Sequence, residues 1–300
     1  MLEKTATLNA RLKGGVLPAM ATPLQDDGYT VATDVVADLV DFLIERGVRG
    51  LFVGGTTGEG LMLSLRERMR LHESAWLATA GRVPVLLHAG ANTTAETLAL
   101  ARHAASMGAD AIVVITPTFF GMPDDALLAY FAQIAEAVPR MPLLVYDIPQ
   151  MAMNGVSPDL LAKLAETIPN FAGIKCSRLD MQVIRRHIDA APPEVALFAG
   201  NEAIALGSLA LGARGLISGL ATAIPEPFVA LTDAFSCGDM ETARLEQQRV
   251  NRLLALLPAG ARIGAIKQIL QQRGVPAGGC VPPRPSPELP GLWARLEALL

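Results

Sequence analysis

The chain has 300 residues, of which 51% are hydrophobic and 18% charged, and its formal net charge is −4. This composition supplies a large apolar core and excludes a disordered chain, and a negative charge without a basic block argues against nucleic acid as the main partner. The first residues mix charges without an apolar stretch, so no secretory signal is predicted, and no charge-free stretch reaches the ~18 residues of a membrane span. Cys176, Cys237 and Cys280 are odd in number and lack CxxC spacing. They indicate a reducing cytoplasm, with neither a disulfide framework nor a zinc site.

Apolar runs typical of buried strands recur along the chain at a regular spacing. Helical patterns lie between them, and a capping box, Thr93 to Glu96, opens one of these helices. Several helices are predicted to stop at a glycine just before the next strand, namely Gly47, Gly81, Gly108 and Gly212. The eight predicted strands cover residues 16–23, 51–55, 83–90, 111–117, 142–149, 171–177, 196–201 and 215–219.

Eight strands that alternate with helices require parallel pairing through right-handed crossovers, and strands that are apolar throughout fit a sheet buried on both faces. The predicted fold is α/β, a (β/α)8 TIM barrel with a C-terminal helical extension. An open doubly wound sheet is the alternative. Residues 1–224 are expected to form the barrel, and residues 225–300 the extension packed on it, as a single structural unit. A proline-rich break at 281–290 precedes a last amphipathic segment, 292–300.

Lys175 is a charged residue inside an otherwise apolar run, Phe171-Ala-Gly-Ile-Lys-Cys-Ser177. A buried ammonium is costly unless it is paired or loses its proton, so this lysine is a candidate nucleophile. Tyr146 ends the preceding predicted strand, and neighbouring strands lie about 5 Å apart. A lysine with a lowered pKa attacks a carbonyl to form a Schiff base, and a phenol can transfer the protons. The alternatives are a snorkelling or paired lysine and a packed aromatic ring.

Two further groups of residues follow predicted strands. Gly54-Gly-Thr-Thr-Gly-Glu-Gly60 offers backbone N–H groups and two hydroxyls to an anion, although a plain structural loop has the same composition. Metal ligands are scarce: His88 and Asp147 end strands, and Glu59 and Glu202 lie in neighbouring loops. Because no HxH or HxxE spacing connects them, no metal site is predicted.

Three motifs in order carry a resemblance to a known family: Gly55-Thr-Thr-Gly-Glu59, Tyr146 followed by Pro149, and Gly173-Ile-Lys175. Together they resemble the dihydrodipicolinate synthase/N-acetylneuraminate lyase family of Schiff-base-forming class I aldolases. The resemblance extends over essentially the whole chain, from the first predicted strand to the proline-rich tail.

The resemblance implies a role for each matching residue. Lys175 would form the Schiff base with the 2-oxo group of pyruvate or a larger 2-oxo acid, without any other cofactor. Tyr146 would transfer protons, with Thr56 as a possible further member of the relay. The remaining implied residues would surround the substrate: Thr56, Thr57 and Gly55 at its carboxylate, and Ile217 and Gly200 nearby. The family is typically homotetrameric, so a homotetramer or homodimer is expected.

Two departures from the family bear on the substrate. Met151 stands where the synthases of the lysine pathway have an arginine that clamps a second carboxylate, although Arg178 or Arg214 offers a cation from an adjacent loop. Phe119 or Phe120 replaces a tyrosine that those enzymes place beside the neighbouring subunit's site. His88 falls where some lyases also have histidine, which hints at sugar-acid substrates.

The predicted function is therefore a pyruvate-dependent class I aldolase or lyase that forms or cleaves a carbon–carbon bond, with a neutral or sugar-acid-like aldehyde as partner. A 2-keto-3-deoxy sugar acid dehydratase and a 4-hydroxy-tetrahydrodipicolinate synthase are alternatives with the same chemistry. A catalytically silent metabolite-binding barrel and a metal-dependent hydrolase are alternatives of other classes. The expected partners are small molecules rather than nucleic acid or membrane, and the expected location is the cytoplasm.

Overall fold

The computed structural model describes residues 3–300. Eight strands form one sheet in the order β1-β8-β7-β6-β5-β4-β3-β2, and the registered pairs between β3 and β8 are parallel. This order, with helices between the strands, is that of a (β/α)8 TIM barrel, which confirms the predicted fold class. Each strand lies within one predicted run: β1 Val16–Pro18, β2 Leu51–Val53, β3 Val85–His88, β4 Ala111–Ile115, β5 Leu143–Asp147, β6 Phe171–Cys176, β7 Ala196–Ala199 and β8 Gly215–Ser218.

The helices follow the strands, and the last four form the predicted helical region after residue 225. Within residues 3–300, no helix combines the length and the apolar character that crossing a membrane requires. The helices are α1 Glu3–Leu12, α2 Thr33–Glu45, α3 Leu65–Thr79, α4 Thr94–Met107, α5 Asp124–Ala137, α6 Pro149–Ala152, α7 Pro158–Thr167, α8 Met181–Ala190, α9 Ala205–Leu211, α10 Glu226–Cys237, α11 Met240–Ala255, α12 Arg262–Gln272 and α13 Leu292–Glu297.

Local sequence signals set the ends of these helices. The Thr93 hydroxyl accepts a hydrogen bond from the backbone N–H of Glu96 at 3.2 Å and contacts its carboxylate at 2.9 Å, which confirms the capping box at the start of α4. The helix ends at Gly108, whose φ of 79° lies in the left-handed region that glycine adopts without strain. Gly212 ends α9 in the same way.

The residues divide into two compact units. The first contains the described residues up to Lys13 together with Leu86–Ile217, and the second contains Gly14–Val85 together with Ser218–Leu300. In the first unit, the Asn9 amide of α1 donates to the backbone oxygens of Ala172 and Glu194. In the second, α10 packs against α11. The proposed division of the chain at residue 224 stays a prediction.

Candidate active site

Lys175 and Tyr146 are neighbours on adjacent strands of the first unit. They are direct partners in the parallel register of β5 and β6, and only 4% and 2% of their surfaces are exposed. The Lys175 Nζ lies over the face of the Tyr146 ring, 4.1 Å from its centroid. The structure thus brings the predicted amine and phenol together in a poorly hydrated place.

Burial lowers the pKa of Lys175 from 10.5 to about 7, and the negative charge of Glu202 opposes this effect. A shift of this size means that burial disfavours the charged form by roughly 5 kcal/mol. At neutral pH a large share of the side chain is therefore the free amine, which is the nucleophilic form. Glu202 follows β7, and the sequence singled it out only as a possible metal ligand.

Three other residues that the sequence singled out lie in the same unit, and one of them contacts Tyr146. The buried His88 ring meets the Tyr146 ring edge-on, with 6.2 Å between centroids. Gly200 donates its N–H to the oxygen of Cys176 at 2.8 Å, and a Cβ there would lie 2.1 Å from the Ser177 hydroxyl. A larger residue at position 200 would therefore have to displace the Ser177 side chain, which follows β6. Ile217 is buried in β8, and its place beside the substrate stays a prediction.

Asp147, next to Tyr146, is fully buried. Its carboxylate pairs with the guanidinium of Arg178. The Arg178 Nε lies 2.6 Å and its terminal nitrogen 3.1 Å from the two carboxylate oxygens, and the Val156 N–H donates to the same carboxylate at 2.9 Å. Burial and the Asp147 charge raise the pKa of the Cys176 thiol to about 12. Among the described residues 3–300, no three His, Cys, Asp or Glu side chains group in a way that could hold a metal ion.

Arg178 and Arg214 both have partners within the protein. The planar guanidinium of Arg178 binds a buried carboxylate through two nitrogens. This bidentate geometry strongly orients the guanidinium. Arg214 donates to the backbone oxygen of Pro193 at 3.0 Å. The sequence offered both arginines as possible cations for a second substrate carboxylate. The contacts that the structure shows direct them elsewhere.

The Gly54–Gly60 segment belongs to the second unit and forms a tight turn. The N–H of Gly60 donates to Gly55 O and that of Glu59 to Thr56 O, both at 3.1 Å. Gly55 has no room for a side chain, because a Cβ there would lie 2.3 Å from the Phe52 ring. Thr56 and Thr57 at the turn's centre are partly exposed. The turn is therefore more constrained than a plain surface loop, and its two hydroxyls are presented on a fixed backbone.

A side chain absent from the sequence predictions, Asn154, organises the loops after β4 and β5. Its amide donates to Pro117 O and Phe120 O, and its Oδ1 accepts from the Met122 N–H, each at 2.7 Å. Its own backbone oxygen accepts from the Thr116 hydroxyl at 2.9 Å. Several apolar side chains are exposed in the segments after β4, β5 and β6: Phe119, Phe120, Met122, Met151, Met153 and Leu179.

Comparison with known proteins identifies the family. The model of the dihydrodipicolinate synthetase family matches residues 12–288. The chain belongs to this family. A 4-hydroxy-tetrahydrodipicolinate synthase of Methanopyrus kandleri is 37% identical over 230 residues, which cover 77% of this chain and 76% of the relative.

Two solved structures show the same fold over almost the whole chain. A Ruminococcus gnavus sialic acid aldolase, a mutant of its catalytic lysine, superposes with a TM-score of 0.92 at 28% identity, covering 97% of this chain and 96% of that one. YagE from E. coli K12, of the same family and in complex with pyruvate, gives a TM-score of 0.88 at 30% identity, covering 95% and 97%. Family members are pyruvate-dependent aldolases that use a lysine Schiff base and no external cofactor, and this chain is a lyase of that superfamily.

The electrostatic role of Glu202 leads to a pH prediction. A neutral lysine attacks, so kcat/KM should fall as the pH drops below the Lys175 pKa of about 7. Glu202→Gln removes a charge that favours the ammonium, so the acid limb of the kcat/KM profile should move to lower pH. Glu166→Gln on the exposed face of α7 is the control and should leave the limb in place. An unmoved limb in Glu202→Gln would show that this charge does not act on the amine.

Proposed function

We propose that the protein forms or cleaves a carbon–carbon bond between pyruvate and a neutral, hydroxylated aldehyde, with Lys175 as the Schiff-base residue. The observation that carries this proposal is the buried Lys175 amine over the Tyr146 ring, with its pKa near 7. A buried lysine with a lowered pKa is a candidate functional group, and its unprotonated form is the one that attacks a carbonyl.

In the direction of bond formation, the Lys175 amine adds to C2 of pyruvate, and the carbinolamine loses water to give an iminium. Loss of a proton from C3 gives an enamine, which attacks the aldehyde carbon while the aldehyde oxygen gains a proton. Water then hydrolyses the product iminium and frees the lysine. Tyr146 is the proposed carrier of these protons, with Thr56 as the next member of the relay. Cleavage runs through the same steps in reverse.

The pyruvate carboxylate is assigned to the Gly54–Gly60 turn. Thr56 and Thr57 would donate their hydroxyls and the Gly55 region its backbone N–H groups, while Gly200 and Ile217 would line the remaining surface. The family motif and the constrained backbone of the turn support this assignment. Because these donors bind ground state and transition state alike, they are expected to act on KM more than on kcat.

The proposal of a neutral aldehyde depends on charge. Met151 is 60% exposed in α6, and Arg178 is held by Asp147. An aldehyde with its own carboxylate would enter without a matched cation from these positions. A 2-keto-3-deoxy sugar acid dehydratase would lose water from the same intermediate. A 4-hydroxy-tetrahydrodipicolinate synthase is the second candidate, because a relative with that name shares 37% identity with this chain.

Borohydride trapping tests the Schiff base directly. Reduction in the presence of pyruvate should attach one pyruvyl group per chain, and peptide mass spectrometry should locate it on Lys175. Lys175→Ala should abolish the label, and Lys267→Arg, at the other buried lysine, is the control that should keep it. A label that persists in Lys175→Ala would contradict the proposed mechanism.

Tyr146→Phe removes only the hydroxyl of the proposed proton carrier. Steady-state turnover should fall by roughly 10²- to 10⁴-fold, while circular dichroism shows an intact fold. Phe131→Leu, a buried substitution on α5, controls for a general disturbance of the core. Wild-type turnover in Tyr146→Phe would make Tyr146 a packing residue.

Met151→Arg tests the specificity argument. The added cation should shift the ratio of kcat/KM values toward aspartate semialdehyde, by about 10-fold or more for a new charge-assisted contact. Met153→Arg, a similarly exposed neighbour, is the matched control. If the wild-type protein already prefers aspartate semialdehyde to neutral aldehydes, the synthase becomes the better-supported function.

The apolar group around Phe119 and Phe120 supports a homodimer or homotetramer. These rings are 78% and 67% exposed, and the backbone of Phe119 has a φ of 75°, so the loop holds them outward despite strain. A second copy of the chain is the proposed partner. Phe119→Ser/Phe120→Ser should lower the mass measured by light scattering. Leu77→Ser, at an exposed residue of α3, should leave the mass unchanged. An unchanged mass would exclude this surface as the main contact.

The proposed location is the cytoplasm. All three cysteines are free in the structure, and two of them are buried. This agrees with a reducing compartment. Fractionation of the cells that produce the protein tests the proposal, and recovery outside the cytoplasm would contradict it.

A further inference from the structure

A buried ion pair links the Gly54–Gly60 turn to the C-terminal region, and the proposed mechanism does not use it. Glu59 and Lys267 are 2% and 1% exposed, and the Lys267 Nζ lies 2.9 Å from the Glu59 Oε2. The amine also donates to Gly279 O at 2.6 Å. The other carboxylate oxygen accepts from the Val281 N–H at 3.0 Å. Glu59 thus forms an ion pair with α12 through one oxygen and a hydrogen bond with the segment after it through the other, all within the second unit.

The backbone of Glu59 is as constrained as its side chain. Its φ of 54° is in the left-handed region, which is unusual for a residue with a Cβ. Its N–H closes the turn on Thr56 O, and its own oxygen accepts from the Met62 N–H at 2.8 Å. Glycine adopts this conformation more readily, so a glutamate at this position has a conformational cost. The contacts of the carboxylate offset that cost.

We propose that Glu59 and Lys267 are positioning residues, which fix the Thr56–Thr57 hydroxyls for substrate binding by anchoring the turn to the C-terminal segment. This inference rests on the proposed function, in which those hydroxyls hold the pyruvate carboxylate. The anchor acts three residues from Thr56, through the hydrogen bond that closes the turn. The C-terminal helical region thereby contributes to substrate binding.

The buried charges determine which variants are informative. Removing one partner leaves an uncompensated buried charge and destabilises the protein as a whole, whereas replacing both by neutral groups of similar size is often tolerated. Glu59→Gln/Lys267→Met is therefore the main variant. Glu59→Asp is the second: it keeps the charge and withdraws the carboxylate by one methylene group. Glu246→Gln/Arg249→Met, which removes an ion pair within α11, is the matched control.

Pyruvate KM and kcat should separate in these variants. With thermal midpoints close to wild type, Glu59→Gln/Lys267→Met should raise the pyruvate KM by about 10- to 100-fold, as expected when a binding group is displaced by about 1 Å. At saturating pyruvate, the borohydride label on Lys175 should stay close to wild type, and kcat should fall by less than the KM rises, because Thr56 is the only displaced hydroxyl that also belongs to the proposed relay. Glu59→Asp should show a smaller rise, and the α11 control none.

A wild-type pyruvate KM in a folded Glu59→Gln/Lys267→Met or Glu59→Asp protein would overturn the inference and leave the pair as packing. Failure of the proposed function has a different signature. Wild-type protein would then carry no borohydride label on Lys175, or Thr57→Val would leave the pyruvate KM unchanged. If the double variant does not fold, Glu59→Asp alone decides the question, because its buried charges remain matched.

Discussion

The chemistry that we propose for this protein depends on the desolvation of one amine. Lys175 lies in a strand whose six residues are all buried, so water cannot solvate its charged form. The carboxylate that acts on it, Glu202, opposes the resulting fall in its pKa without abolishing it. The rest of the site follows from this constraint: an apolar barrel interior is needed for the amine, and polar groups must then come from strand ends and loops.

The molecule has a second buried lysine, and comparing the two shows how the surroundings select a role. Lys267 has a carboxylate oxygen at 2.9 Å and a carbonyl at 2.6 Å, so its charge is compensated in place. The Lys175 amine lies over the ring of Tyr146, and the charge of Glu202 also acts on it. Asp147 is likewise matched, by the guanidinium of Arg178. Paired buried charges such as these hold elements together, whereas burial lowers the pKa of the Lys175 amine to about 7.

Sequence reasoning predicted the elements of the fold well, because its signals are local. The eight apolar runs each contain a strand, and the capping box and the terminal glycines act through backbone geometry that a few residues determine. The pairing of Lys175 with Tyr146 was also predictable, since consecutive strands of a barrel are neighbours. The predicted runs were longer than the strands because apolar residues continue into buried loops, where no ladder forms.

The contacts that the sequence did not reveal join distant residues. Arg178 reaches Asp147 across 31 positions, and Glu59 reaches Val281 across 222, and no local pattern marks either pair. Asn154 was not predicted for a related reason. The sequence of a loop does not distinguish a polar side chain that faces water from one that binds three backbone groups. Charge partners and loop contacts therefore had to come from the structure, whereas the sequence alone singled out the proposed nucleophile, Lys175.

The contacts of Asn154 have a consequence for redesign of the enzyme. One amide binds the loop that carries Phe119 and Phe120 to the segment that carries Met151 and Met153. The region that we assign to substrate choice and the region that we assign to subunit contact are therefore coupled through one side chain. A graft of the segment after β5 that lacks Asn154 would lose the three hydrogen bonds of that side chain. Recombination between relatives is best made outside residues 116–156, so that both loops travel together.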